Sequence, residues 1–122
     1  MIPKARASKA SQAGVVPEHV RDLAGAIREE ILKLAGVTEG ARSFRIGKKV
    51  FVRFSLQADR VFLEFKLPPD EAKHATQLPF VSPMQFGDMG KHGWVEVTFT
   101  RKSELPVVLR LVRASHGLYR QS

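Results

Sequence analysis

A chain of 122 residues suits a single domain that buries about two thirds of its unfolded surface, and 43% hydrophobic with 26% charged residues is the make-up of a globular protein. No apolar run reaches the roughly 20 residues of a bilayer-spanning helix, and the lack of cysteine excludes disulfides, thiolate chemistry and cysteine-based metal sites. With 20 Lys and Arg against 12 Asp and Glu the net charge is +8, and the expectation is a basic, cytoplasmic, monomeric protein with no membrane association.

Residues 1–16 carry Lys4, Arg6 and Lys9, no acidic group and no apolar periodicity, which predicts a flexible basic tail too short for an organelle transit peptide. Residues 17–35 form an amphipathic helix: Val20, Leu23, Ile27, Ile31 and Leu34 recur at steps of three and four and make one stripe. Pro17 suits the first helical position and Gly36 the left-handed residue that ends the helix. Gly25, inside it, gives up as much as about 1 kcal/mol relative to alanine and leaves room for a strand to approach.

Residues 37–43 read as a turn-rich connector and Phe44–Ile46 as a short strand turned at Gly47-Lys48. The stretch from Lys49 to Leu67 then alternates twice around a polar turn, the pattern of a β-hairpin. Alternation sends Val50, Val52, Phe54 and Leu56, with Val61, Leu63, Phe65 and Leu67, toward a core. It sends Phe51, Arg53 and Ser55, with Phe62, Glu64 and Lys66, to the opposite side. Pro68-Pro69 stops the strand, because proline donates nothing to a ladder.

A short helix over 69–77 opens on Asp70 and Glu71. Paired carboxylates raise acid–base catalysis, but the partial positive charge of a helix N-terminus accounts for them. Residues 78–92 are irregular, with a strand expected over 81–86. Gly87, Gly90 and Gly93 follow at three-residue spacing, which fits a tight hairpin turn and neither the P-loop nor the dinucleotide pattern. Trp94–Thr100 alternates Val95, Val97 and Phe99 inward with Trp94, Glu96 and Thr98 outward. Ser103 is placed to cap a last helix over 104–119, with Leu105, Val108, Leu111, Val112 and Leu118 buried. Arg110, Arg113 and Arg120 lie off that stripe, where cations complement the helix dipole.

The elements run α-β-β-β-α-β-β-α. They predict one α+β domain over residues 17–122, a two-layer sandwich of helices on an antiparallel sheet. With that order in hand, four stretches resemble the MmcQ/YjbR-like family of small bacterial proteins. Leu34–Gly40 is similar to the family's segment after the first helix, and Phe44–Phe51 to its F-R-V-G-G-K-x-F hairpin start. Leu67–Ala72 resembles its K-L-P-P-E-E-A helix start, and Gly90–Val95 its G-K-x-G-W-V turn. Together they cover about residues 17–119. Two departures stand out: the connector from Gly40 to Phe44 is short, and Gly87-Asp88-Met89 lengthens the turn before Lys91. The resemblance implies a fold like that of secretion-chaperone domains and a DNA-binding role inferred from the double-wing shape of the hairpins. It supplies no matched catalytic residue.

No enzyme site assembles from the sequence. The serines lack a nucleophile-elbow context, and His19, His74, His92 and His116 show no metal-ligand spacing, so neither cofactor nor metal is expected. The basic excess is uneven: three cations and no acid in residues 1–14, six against two in 36–60, and five against one in 101–122. That distribution points to an anionic partner, with solubility as the competing explanation. The candidate nucleic-acid-binding residues are Arg45, Lys48, Lys49, Arg53, Arg60, Lys91, His92, Arg101 and Lys102, at or near hairpin turns, where phosphate contacts dominate and sequence preference is weak. Phe51, Phe62 and Trp94 among Arg53 and Lys66 form either a base-stacking face or a minor core covered by a helix or loop, and the covered core is the expectation. The alternative function is a protein-interaction module that receives a partner in an apolar groove around those rings.

Overall fold

The β-hairpin of residues 49–66 is the middle of a six-stranded sheet in the computed structural model, which describes residues 16–57 and 59–120. Along the chain come α1 (Glu18–Leu32), β1 (Val37–Gly40), β2 (Ser43–Ile46), β3 (Lys49–Gln57), β4 (Arg60–Lys66), α2 (Pro69–Ala75), β5 (Val81–Pro83), β6 (Trp94–Phe99) and α3 (Leu105–Arg120). One-turn 3₁₀ segments at Met89–His92 and Lys102–Glu104 precede β6 and α3. The strands lie in the order β1-β2-β3-β4-β6-β5, every neighbouring pair antiparallel. The class and the order of elements are those expected, with one strand more. Residues 37–40, read as part of a connector, pair with β2 from Val37–Ile46 to Gly40–Ser43. The tail expected over 1–16 falls outside the described residues except for Val16, which is half-buried against the core.

Cross-strand rows explain why the core sits where it does. Phe65 faces Val52 and Val95, Leu63 faces Phe54 and Val97, and Val61 faces Leu56 and Phe99. Directly opposed residues share a face, so alternation on three strands stacks these side chains on one side of the sheet. Helices α1 and α3 cover that side, touching each other and β4. They contribute Val20, Leu23, Ala24, Ile27 and Ile31 from α1, and Val108, Leu109, Leu111 and Val112 from α3. The opposite side carries no helix layer among the described residues.

One register shift alters this pattern. Phe44 pairs with Val52 while Arg45 pairs with Val50, so Phe51 is an extra residue on β3. In such a bulge two consecutive side chains share a face. Phe51, which simple alternation puts with Arg53 and Ser55, instead joins Val52 beneath α3 with 0% exposure. Its ring centroid lies 5.9 Å from His116 and 6.1 Å from Tyr119, both edge-on. Val50 exchanges places with it and lines a hollow on the open face beside Arg53 and Phe62. His116 Nε2 donates to the Ala35 carbonyl oxygen (2.8 Å), so the same cluster ties the end of α3 to the segment after α1.

Other departures are local. Strand β5 stops at Pro83 rather than 86, with one further ladder bond from the Met84 N–H to the Trp94 carbonyl. Helix α2 ends at Ala75, two residues before its expected end, with Thr76 as its C-cap. Ser103 caps nothing. Glu104 instead accepts from the backbone N–H groups of Thr100 (3.1 Å) and Arg101 (3.0 Å), satisfying donors at the start of the 3₁₀ turn. Glycine is required at Gly93, where φ is +100° and a Cβ would collide with the Leu67 carbonyl oxygen. At Gly25 no strand approaches, and a Cβ would meet nothing within 4 Å.

The bulge makes a prediction that simple alternation reverses. Phe51→Ala should lower stability by about 3–5 kcal/mol, and Leu56→Ala, 39% exposed near the hairpin tip, by about 1 kcal/mol, read by chemical denaturation. Gly25→Ala should raise stability by about 0.5–1 kcal/mol in the same measurement, since helix propensity improves with no steric conflict.

Candidate nucleic-acid interface

Strand direction decides which of the nine sequence-derived cations meet. The chain enters β3 at Lys49, just after the Gly47-Lys48 loop, where Ile46 opposes Lys49. Gly47 takes φ +63° at the first loop position, the pattern of a two-residue type II′ turn, and leaves Lys48 and Lys49 exposed. Strand β4 runs the other way and ends at Lys66 opposite Trp94, the residue that follows His92 and Gly93. Lys48, Lys49, Lys91 and His92 therefore stand at one end of the sheet. Arg60 begins β4 at the other end, opposite Gln57. Phe99 lies opposite Val61, which puts Arg101 and Lys102 at that end too. Arg42, a non-glycine residue at φ +59° in the β1–β2 turn, lies level with Phe54 and lines the hollow on the open face. Arg45 and Arg53 belong to neither end. Their pairing with Val50 and Ser43 sets them on the open face.

The two ends are separate electrostatic objects. Eight residue steps from Lys49 to Gln57 span roughly 27 Å, well beyond the screening length of about 10 Å at 0.1 M salt. Each carries one ion-paired cation, held more closely at the Arg60 end. Arg60 is held by Asp59 at 2.8 Å, which neutralises it locally and raises its pKa through that hydrogen bond. At the Lys48 end, Lys91 approaches Asp88 only at 3.9 Å, and Lys48 and Lys49 have no ion pair among the described residues.

The open face is less basic than the sequence suggests. Glu64 sits opposite both Arg53 and Glu96. Partial burial, then the Glu96 charge, raises the Glu64 pKa, with Arg53 acting in the opposite direction. Phe62 and Trp94, both half-buried, lie four residues apart along paired strands, about 14 Å, with the Glu64–Glu96 row between them. With Phe51 on the helix side, the three rings do not adjoin. Sequence reasoning placed Phe86 at the end of a strand. The structure puts it in a turn, 78% exposed, and the signal available was Gly87 beside it. Lys73 of α2 was also passed over, and shares a cleft with Lys91. Among the described residues, no helix is long and apolar enough to cross a membrane, and no group of three or more His, Asp or Glu is placed to hold a metal ion.

The described residues thus form a two-layer α+β sandwich with cations at its hairpin turns. The YjbR family model matches residues 32–118, most of the chain, and the protein belongs to that family. A search of solved structures matches the crystal structure of Deinococcus radiodurans protein DR2400, a DUF419 domain, with TM-score 0.60 and 20% identity over 77% of this chain and 75% of that one. At that identity the likeness concerns the fold. A comparison with curated proteins gave no match.

The Glu64 environment carries a pH prediction. Its folded pKa lies above the unfolded value, so its ionised form subtracts stability at neutral pH, and that loss is recovered as pH falls through the raised pKa. Glu64→Gln should therefore raise the denaturation midpoint at pH 7. The gain should shrink on acidification and vanish below the ordinary glutamate pKa, measured by urea titrations at several pH values.

Proposed function

We propose that the protein is a non-catalytic DNA-binding domain whose contacts run from the sheet end bearing Lys48, Lys49, Lys91 and His92 to the phosphate backbone. The observation that supports this reading is the gathering, from two separate turns, of exposed cations, of which Lys48 and Lys49 have no ion pair among the described residues. Two projections at one end of the sheet, with β4 between them, resemble a pair of wings, and cations at such tips neutralise phosphates without reading bases. Arg60, Arg101 and Lys102 lie too far away to share one phosphate group with them, so they are a secondary surface. Arg53, in the Glu64–Glu96 row, and Arg45, opposite Val50 on the same open face, stand apart from these tips and add little.

Fluorescence anisotropy with mixed-sequence DNA across a salt series tests the proposal, with polyglutamate as the control polyanion. If three or four phosphates are neutralised, log K should fall with log[salt] at a slope of about −3. Lys48→Glu with Lys49→Glu should weaken binding severalfold and flatten the slope, while Arg101→Glu with Lys102→Glu should change it little. Absence of binding at about 50 mM salt, or equal affinity for polyglutamate, would remove the proposal.

A further inference from the structure

Between β5 and β6 the chain makes a projection whose feet are fixed. At its start Met84 is buried, and its N–H donates to the Trp94 carbonyl (3.0 Å). At its end Leu67 donates to the Gly93 carbonyl (2.8 Å), and Gly90 lies so near the Met84 carbonyl oxygen that a Cβ would come within 2.6 Å of it. Between the feet, the Phe86 carbonyl accepts from Met89 (3.2 Å) across a turn in which Gly87 takes φ +56°. Phe86 is thus held on a pinned turn, yet 78% of it is exposed. A phenyl ring left in water forgoes the stabilisation that burial would give, and a ring presented from a fixed base loses little freedom when a ligand covers it.

The surroundings select the ligand. An apolar protein partner would call for further apolar side chains beside the ring. Here the same projection carries Lys91 and His92, with Asp88 3.9 Å from Lys91 and Met89 half-buried. Across a cleft of about 320 Å³, walled by α2 and containing Trp94 and Thr76, stands Lys73. Asp70, also in that wall, keeps the cleft from being uniformly basic. A flat ring with cations a few residues away matches a chain that offers π faces and phosphates in alternation.

We infer that Phe86 stacks on an unpaired base of single-stranded DNA, and that Lys91 and Lys73 meet the phosphates of the same strand across the cleft. The inference rests on the DNA-binding reading and deepens it by naming the form of DNA that this end of the sheet prefers. Stacking does not distinguish bases, so preference for bases over a bare backbone, rather than for any sequence, is the signature.

The test compares three labelled probes by anisotropy at low salt: an oligothymidylate of about 15 nucleotides, an abasic strand of equal length, and a blunt duplex. The native protein should bind the base-bearing strand about 5- to 100-fold more tightly than the abasic one. Phe86→Ala should abolish that difference while leaving abasic and duplex affinities unchanged, and Phe86→Tyr should restore it. Lys73→Glu should weaken both single strands severalfold. Equal binding of base-bearing and abasic strands by the native protein overturns the inference, as does discrimination that survives Phe86→Ala, the result expected if the ring serves a protein partner. An unaffected Lys73→Glu overturns the path across the cleft. Salt-dependent binding to the duplex and abasic probes in any of these cases leaves the broader DNA-binding reading standing, whereas no binding to any probe refutes that reading itself.

Discussion

Phe51 enters β3 between the Phe44–Val52 and Arg45–Val50 pairs and lies beside Val52 on the helix side of the sheet. The ring fills the space under the last turns of α3, edge-on to His116 and Tyr119, and His116 reaches on to the carbonyl of Ala35. Three parts of the chain distant in sequence thereby share one cluster: the segment after α1, the start of β3 and the end of α3. The same extra residue reverses Val50, so the open face begins with a valine hollow and Arg45 rather than with an aromatic ring. Both layers at this end depend on that one insertion.

Much of this architecture follows from period alone. Val61, Leu63 and Phe65, with Val95, Val97 and Phe99, are buried in the order that alternation requires, and the α1 stripe of Val20, Leu23, Ile27 and Ile31 is buried as helical spacing requires. What escaped the sequence is what depends on partners far along the chain. A bulge at Phe51 is fixed by the register against β2, which no local pattern encodes. Residues 37–40 hold a single half-apolar position, Val37, and become a strand because β2 offers a free edge. Of the candidate cations, types and exposure were legible. Their sorting onto two ends and one face was not, because it depends on strand direction in the assembled sheet.

That sorting separates what is rigid from what is available. The β3–β4–β6 rows are packed on one face and fix the spacing of everything attached to them. The turns at each end add little apolar burial, so charge there can change without disturbing the core. Arg53, Glu64 and Glu96 share a row at the centre of the open face, and Glu64 is kept there against its preference for water. The exposed cations at the ends of the sheet are therefore set apart from the mixed charges at its middle.

The margins of the sheet carry a consequence of another kind. On one side β1 ends the order, and its Glu39 is gripped by Arg28 of α1 through two bonds, Nε to Oε2 at 2.8 Å and Nη2 to Oε1 at 2.6 Å. On the other side β5 is three residues long and closes on Pro83. An unpaired strand edge invites another chain to add itself in register, and short edges, charge and proline each discourage that addition. Both borders are provided for in this way, so among the described residues crowded copies meet no long, flat backbone edge on which a growing fibre could seed.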